Sequence, residues 1–161
     1  MKKGGIAIIG SLIGGVVGVA TMGKFSQGVI KDKDKRTSKF KSYYNMLNQW
    51  LCIKQEGKNL EEYFKLKNYK RIAVYGLGEM GNRLIDELNN TEIEIVYGID
   101  KNVDDTFCNI KAYSIDEIGE IAESVDAVVV TAVFAYDEIK EQLKLQFDSD
   151  IVSLEDAVFE I

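Results

Sequence analysis

Histidine is absent from this sequence, and with it go the commonest general base and every Ser-His-Asp or Cys-His arrangement. Cysteine is scarce. Cys52 and Cys108 lie far apart, lack metal-ligand spacing and have no histidine to join them, which excludes a zinc site. Each reads as a small, partly buried hydrophobe in a reducing compartment rather than a disulfide partner or catalytic thiol. Proline is absent too, which excludes no class of function. Positive charge is outweighed, with a net charge of -6 and a pI near 4.8, so no basic surface dominates to hold nucleic acid. Partners are therefore expected among small molecules and proteins. At 161 residues there is room for one modest globular domain and none for a two-domain dehydrogenase. What is present suits a packed core: 46% hydrophobic residues, with 8 Tyr, 7 Phe and 1 Trp, argue against general disorder.

The first long feature is GGIAIIGSLIGGVVGVATMG, residues 4–23, which carries no charge. As a helix, at about 1.5 Å per residue, it spans about 30 Å, the thickness of a bilayer's hydrocarbon core. Residues 1–23 are accordingly expected to form an N-terminal transmembrane helix. Gly10, Gly14 and Gly18 recur on one face, where a second helix of a homo-oligomer can approach closely; glycine is also simply common in membrane helices. Lys2 and Lys3 precede the span, whereas Lys24, Lys31, Lys33, Lys35, Arg36, Lys39 and Lys41 follow it, which places the carboxyl-terminal bulk in the cytoplasm. A cleaved signal peptide is the rival reading. Against it stand the length of the stretch and the poor cleavage site at Val19-Ala20-Thr21-Met22. Residues 24–37 read as a basic linker interrupted by Asp32 and Asp34, able to rest on anionic headgroups but more simply solvated.

From 38 to 69 the pattern is a helical hairpin. Phe40, Tyr43, Tyr44, Leu47, Trp50 and Leu51 fall three or four apart, the period of one helix face, and Gly57 ends the run. Asn59 with Glu62 then gives a helix-start pattern ahead of Leu60, Tyr63, Phe64 and Leu66. Such aromatic stripes are expected to pack on the following sheet or on another subunit rather than to carry chemistry.

Function concentrates in residues 70–161. The β-rich run Arg71-Ile72-Ala73-Val74-Tyr75 feeds into Gly76-Leu77-Gly78-Glu79-Met80-Gly81, a Gly-x-Gly-x-x-Gly fingerprint. Gly76 allows the tight strand-to-helix turn, Gly78 lets backbone approach a phosphate, and Gly81 lets the helix pack on the strand. Free amides at the helix start would then face the anion. A second strand, Ile93 to Ile99, ends in Asp100, an acid placed to accept hydrogen bonds from ribose hydroxyls or, alternatively, to turn the chain before Asn102. The charge of Asp100 favours NAD over NADP, although the adjacent Lys101 blurs that preference. Glu79 strains the reading if it points at a bound phosphate, and suits the helix dipole if it points outward.

The remainder alternates: a short strand at 110–113, Ser114 with Glu117 opening a helix, a buried strand at 126–131, a helix at 135–145, a last strand at 151–153, and Ser153 with Asp156 capping a short terminal helix. This predicts an α/β fold, a Rossmann-like parallel sheet of about five strands with helices on both faces. Ligands of such sheets bind beyond the carboxyl ends of the strands. The candidate site is thus Gly76 to Gly81, then Asp100, Lys101 and Asn102, then Thr131, Ala132 and Val133. No catalytic or metal-binding residue is assigned.

From Tyr43 onward the chain resembles small Rossmann-like domains encoded among bacterial capsule and surface-polysaccharide genes, some fused to glycosyltransferases or related to the nucleotide-sugar-binding domain of sugar acyltransferases. The stretches that carry the resemblance are "YYNMLNQWL…EEYF", "IAVYGLGEMGNRL", "YGIDKN" and "DAVVVTA". It implies nucleotide or nucleotide-sugar binding at Gly76, Gly78, Gly81 and Asp100, with an envelope-polysaccharide enzyme as partner. The acyltransferase and glycosyltransferase portions are missing here. The turn is also similar to that of NAD-binding domains that gate bacterial potassium uptake, which tolerate Glu beside the phosphates.

Three functions are compatible with these features. The first is a membrane-anchored, non-catalytic module binding NAD or a nucleotide-sugar in envelope polysaccharide biosynthesis. The second is an oxidoreductase or epimerase subunit that needs a partner, for which Tyr75, Lys101 and Tyr136 are the proton-transfer candidates near the cleft. The third is a scaffold that retains the glycine turn for folding alone.

Overall fold

The computed structural model describes residues 36–103, 110–120 and 123–161. The chain divides into two compact units, 1–41 and 42–161. Of the first, residues 36–41 are described, and all are helical. The expected membrane helix, its glycines Gly10, Gly14 and Gly18, and Cys108 lie outside the described residues. Among the described residues no helix is long and apolar enough to cross a membrane.

The elements run in order as α1 (36–55), α2 (Glu61–Leu66), β1 (Arg71–Tyr75), α3 (Glu79–Leu88), β2 (Glu94–Ile99), β3 (Ala112–Tyr113), a 3-10 helix (Ile115–Glu120), β4 (Ala127–Val130), α4 (Tyr136–Leu143), β5 (Asp150–Ser153) and α5 (Leu154–Phe159). The strands form one five-stranded sheet in the order β3-β2-β1-β4-β5, and every pairing is parallel. The chain steps outward from β1 to β2 and β3 and then crosses back to place β4 on the other side of β1, so the strand order reverses between β1 and β4. Parallel strands need crossover connections that cover both sheet faces, which is why β4 reads as an unbroken apolar run, Ala-Val-Val-Val, with every residue buried.

Side chains alternate between the two faces. Ile72, Val74, Ala127 and Val129 pack with Leu84 and Leu88 of α3, Leu154 and Val158 of α5, and residues of α1 and α2. Ala73, Tyr75, Val128 and Val130 pack on the other face with Ile139 and Leu143 of α4 and Ile118 of the 3-10 helix. Fully burying each such aliphatic side chain is worth about 1.5–3 kcal/mol.

In the 42–161 unit the hairpin packs through a face one step round from the one that the apolar spacing predicts. Met46, Trp50 and Ile53 are buried, whereas Tyr44, Leu47 and Leu51 are exposed, as is Phe40. The reason lies in the polar end of Trp50. Its indole N–H donates to Glu87 Oε2 at 2.7 Å, and the amide of Leu60, at the head of α2, donates to Glu87 Oε1 at 2.8 Å. Lys54 Nζ stands 3.4 Å from the same carboxylate, whose side chain is 6% exposed. One residue of α3 thus anchors α1 and starts α2. The helix-start pattern of Asn59 and Glu62 is not used in that way: α2 begins at Glu61, and its N-cap is Leu60, whose own side chain makes no capping bond. Two other sequence caps do form. Glu117 accepts from the amide and hydroxyl of Ser114, each at 2.8 Å, and Ser153 accepts from the amide of Glu155.

At the amino edge of the sheet Asp126 accepts the amides of Lys70 and Arg71 at 2.7 and 2.8 Å. The hydrogen bonds from Arg71 and Lys70 hold its carboxyl below the usual range. Glu61 is lowered by the amide of Glu92, and Glu117 by that of Ser114.

Two outcomes are expected. Glu87→Ala leaves a buried indole N–H and a backbone amide unpaired and should cost about 2–4 kcal/mol in urea unfolding, with Glu87→Gln intermediate. Because the folded pKa of Asp126 is depressed, its contribution is present above the unfolded value near 4 and is lost as pH falls through the folded value. Unfolding midpoints measured from pH 6 down to about pH 2.5 should therefore fall, and Asp126→Asn should flatten that slope while leaving the shares of Glu61 and Glu117.

Candidate functional site at the glycine turn

Register brings the expected stretches together. Tyr75 aligns with Ile99 of β2 and with Val130 of β4, so the next residues, Gly76, Asp100 and Thr131, stand side by side at the carboxyl edge. They are joined by hydrogen bonds. The amide of Gly76 donates to Ile99 O at 2.8 Å, and the amide of Leu77 donates to Asp100 Oδ2 at 2.7 Å. From the other side the Thr131 hydroxyl lies 2.7 Å from Gly76 O and 3.2 Å from Tyr75 O. Asp100 Oδ1 also accepts the amide of Asn102 at 3.0 Å. Asp100 therefore combines the two alternatives drawn for it, because it turns its own loop and latches the glycine turn.

The three glycines have different reasons to be glycine. Gly76 has φ +94°, and a Cβ there would lie 2.7 Å from Thr131 Oγ1. At Gly81 a Cβ would collide with the Gly76 carbonyl oxygen, so its role is close packing of α3 against the turn. Gly78 is the N-cap of α3, with extended backbone at φ −72° and ψ −161°, and a Cβ there would meet nothing within 4 Å. Internal packing does not require glycine at 78.

The first bond of α3 in the turn region runs from the amide of Asn82 to Gly78 O at 2.9 Å. The preceding amides, of Gly78, Glu79, Met80 and Gly81, donate to no group among the described residues, as expected at a helix start without a side-chain cap. Gly78 and Glu79 are exposed, and Met80 is half-buried against the core. Leu77 instead turns inward and packs where a Cβ on Gly98 would sit, at 2.6 Å from Leu77 Cδ1.

The other expected residues take separate places. Lys101 and Asn102 are exposed, Ala132 is half-buried, and Val133 is buried in the core. Thr131 is buried, and its hydroxyl is committed to the turn. Beyond β4 a 3-10 turn, Val133–Ala135, leads into α4, whose first turn carries Asp137 and Glu138. Phe134 meets the ring of Tyr43 edge-on at 6.0 Å, which brings α1 to this edge of the sheet.

Of the proton-transfer candidates, Tyr136 donates its hydroxyl to Ile151 O at 2.7 Å. Tyr75 is 4% exposed, and its hydroxyl is buried without a partner among the described residues. Desolvation, then the charges of Asp100 and Glu138, push its pKa up. Its place in the sequence, a phenol ending an otherwise aliphatic buried strand, was the available signal. A groove of about 630 Å³ lies away from the turn, along α3 toward Asn89, Asn90 and Thr91, and includes none of the expected site residues.

Residues 68–151 match the family model described as C2185-like, N-terminal. The chain belongs to this C2185-like family. No curated protein and no solved structure matches it. The C2185-like span runs from the residue pair before Lys70 into β5, so it contains the glycine turn, Asp100 and Thr131 and leaves α1, α2 and α5 outside.

The glycine roles can be separated by guanidinium unfolding. Gly76→Ala and Gly81→Ala should each cost about 2 kcal/mol or more, through strain or collision. Gly78→Ser should raise stability by a few tenths of a kcal/mol, because serine at an N-cap accepts a following amide.

Proposed function

We propose that this domain is a Rossmann-like, non-catalytic module that binds the diphosphate of NAD or of a nucleotide-sugar at the head of α3. The observation that carries this reading is the set of unengaged amides from Gly78 to Gly81, at the edge where the strand order reverses, beside a glycine that internal packing does not need. Backbone amides and the helix dipole together favour an anion at such a place, and a side chain at 78 would occupy the approach. Gly76 and Gly81 fit a scaffold equally well; Gly78 is the position that favours ligand binding over a purely structural turn. Glu79 is exposed in the first turn of α3, where an acid complements the helix dipole.

The uncharged stretch 4–23 and the lysines after it support a membrane tether with the domain on the cytoplasmic side. The resemblance to capsule and surface-polysaccharide proteins supports a role beside an envelope-polysaccharide enzyme, with the bound nucleotide sensed or presented rather than transformed. The engagement of Tyr136 with a backbone carbonyl leaves the enzyme reading with fewer acid–base groups at this edge.

Calorimetric titration of the full chain in mild detergent against NAD, UDP-glucose and CDP-glucose tests the proposal. Binding of at least one is expected, with affinity lowered tenfold or more by Gly78→Val and by Gly78→Ser, the latter because its hydroxyl takes an amide the phosphate needs. Absence of binding by the folded wild type to all three would sink the reading, and unchanged affinity in both variants would move the site away from the turn.

A further inference from the structure

Charge is divided unevenly along this chain. Residues 1–55 hold 10 of the 20 lysines and arginines but 2 of the 26 acids, whereas 56–161 hold the other 10 cations and 24 acids. The division falls at the end of α1. Between 36 and 55 stand Arg36, Lys39, Lys41 and Lys54 and no acid, and the next residue, Glu56, opens the acidic part. α1 also carries an apolar stripe that the domain leaves uncovered. In the 42–161 unit Tyr44 is 69% exposed, Leu51 56% and Leu47 40%, and their spacing of three and four sets them on one helix face. Phe40, four residues before Tyr44, is exposed as well. The rotation of the helix is fixed: Trp50, buried with Met46 and Ile53, is held by Glu87 at 2.7 Å, so the stripe is presented outward.

We propose that this face of α1 docks on an anionic lipid bilayer surface, with Tyr44, Leu47 and Leu51 entering the boundary between headgroups and acyl chains and the nearby cations meeting the headgroups. An apolar stripe on a helix whose charges are all positive is the chemistry of interfacial binding, in which the apolar face sinks about 5–10 Å into that boundary. Tyrosine suits this depth, because its ring is apolar and its hydroxyl stays wet. A second copy of the chain fits less well, since pairing the same face would bring two acid-free, cationic helices together. Nucleic acid would meet the charge but offers no apolar phase to the stripe. The acidic part adds direction: the excess of acids in 56–161 is repelled by the surface that attracts α1, which turns α1 toward the bilayer. The acids lining the shallow groove beside Leu47 and Leu51 are each matched, Asp86 by Arg83 at 3.3 Å and Glu87 by Lys54 at 3.4 Å. This docking is independent of nucleotide binding. It agrees with a tether at 4–23, because residues 24–35 can carry α1 no further than about 40 Å from its end.

The experiment attaches an environment-sensitive fluorophore to the full chain through Tyr44→Cys, Leu51→Cys or, as a control, Leu145→Cys, each combined with Cys52→Ser and Cys108→Ser. Leu145 is 87% exposed and follows α4, the helix on the other sheet face. Both labelled positions of α1 are exposed, so the labels leave the core intact. The proteins are placed at one copy per nanodisc, in phosphatidylcholine alone or mixed with phosphatidylglycerol, with and without lipids that carry a quencher on the acyl chain. In anionic discs the label is expected to be quenched at 44 and 51 and not at 145, with less quenching in neutral discs. Lys41→Gln should lower the ratio of docked to undocked domain in anionic discs about fivefold. Quenching at 44 and 51 no stronger than at 145, or equal in neutral and anionic discs, would overturn the proposal. So would a change at 44 and 51 that appears only when two copies share a disc, which would assign the stripe to a second copy.

Discussion

The level ending of three parallel strands is the constraint on which the rest of this structure depends. β1, β2 and β4 stop at Tyr75, Ile99 and Val130, so the chain must leave the sheet at Gly76, Asp100 and Thr131 in the same plane. A backbone leaving a buried parallel sheet exposes amides and carbonyls that need partners. The three exits supply them to one another: Asp100 takes the amide of Leu77, Ile99 takes that of Gly76, and Thr131 binds the carbonyl of Gly76. The turn is held from both neighbours before any ligand is considered.

Clamping the turn in this way leaves the start of α3 open. Since Asp100 and Thr131 are spent on Gly76 and Leu77, neither caps the helix, and the amides from Gly78 onward stay without internal partners. The same residues that stabilise the turn therefore leave the first amides of α3 open. The last residue of β1 itself adds one more unmet donor, the buried hydroxyl of Tyr75 on the far face.

The helical hairpin depends on a similar economy at a different place. Glu87, on the side of α3 away from the turn, accepts from Trp50 and from Leu60 and pairs with Lys54. That contact sets which face of α1 packs and where α2 begins, and it ties both helices to the helix whose head carries the open amides. It also leaves Tyr44, Leu47 and Leu51 outside the core.

The sequence by itself determined the order of the elements, the buried runs of β1 and β4, the glycine turn, and the caps at Ser114 and Ser153, because each rests on neighbours within a few residues. Periodicity and turn chemistry are local, and local signals survive in one dimension. Only the tertiary structure decided that Asp100 latches Leu77, that Thr131 holds Gly76 from 55 residues away, that Glu87 selects the packing face of α1 from 37 residues away, and that the Tyr75 hydroxyl is buried with no hydrogen-bond partner among the described residues. Strand register and helix rotation fix those pairings, and neither is written in the spacing of any single segment.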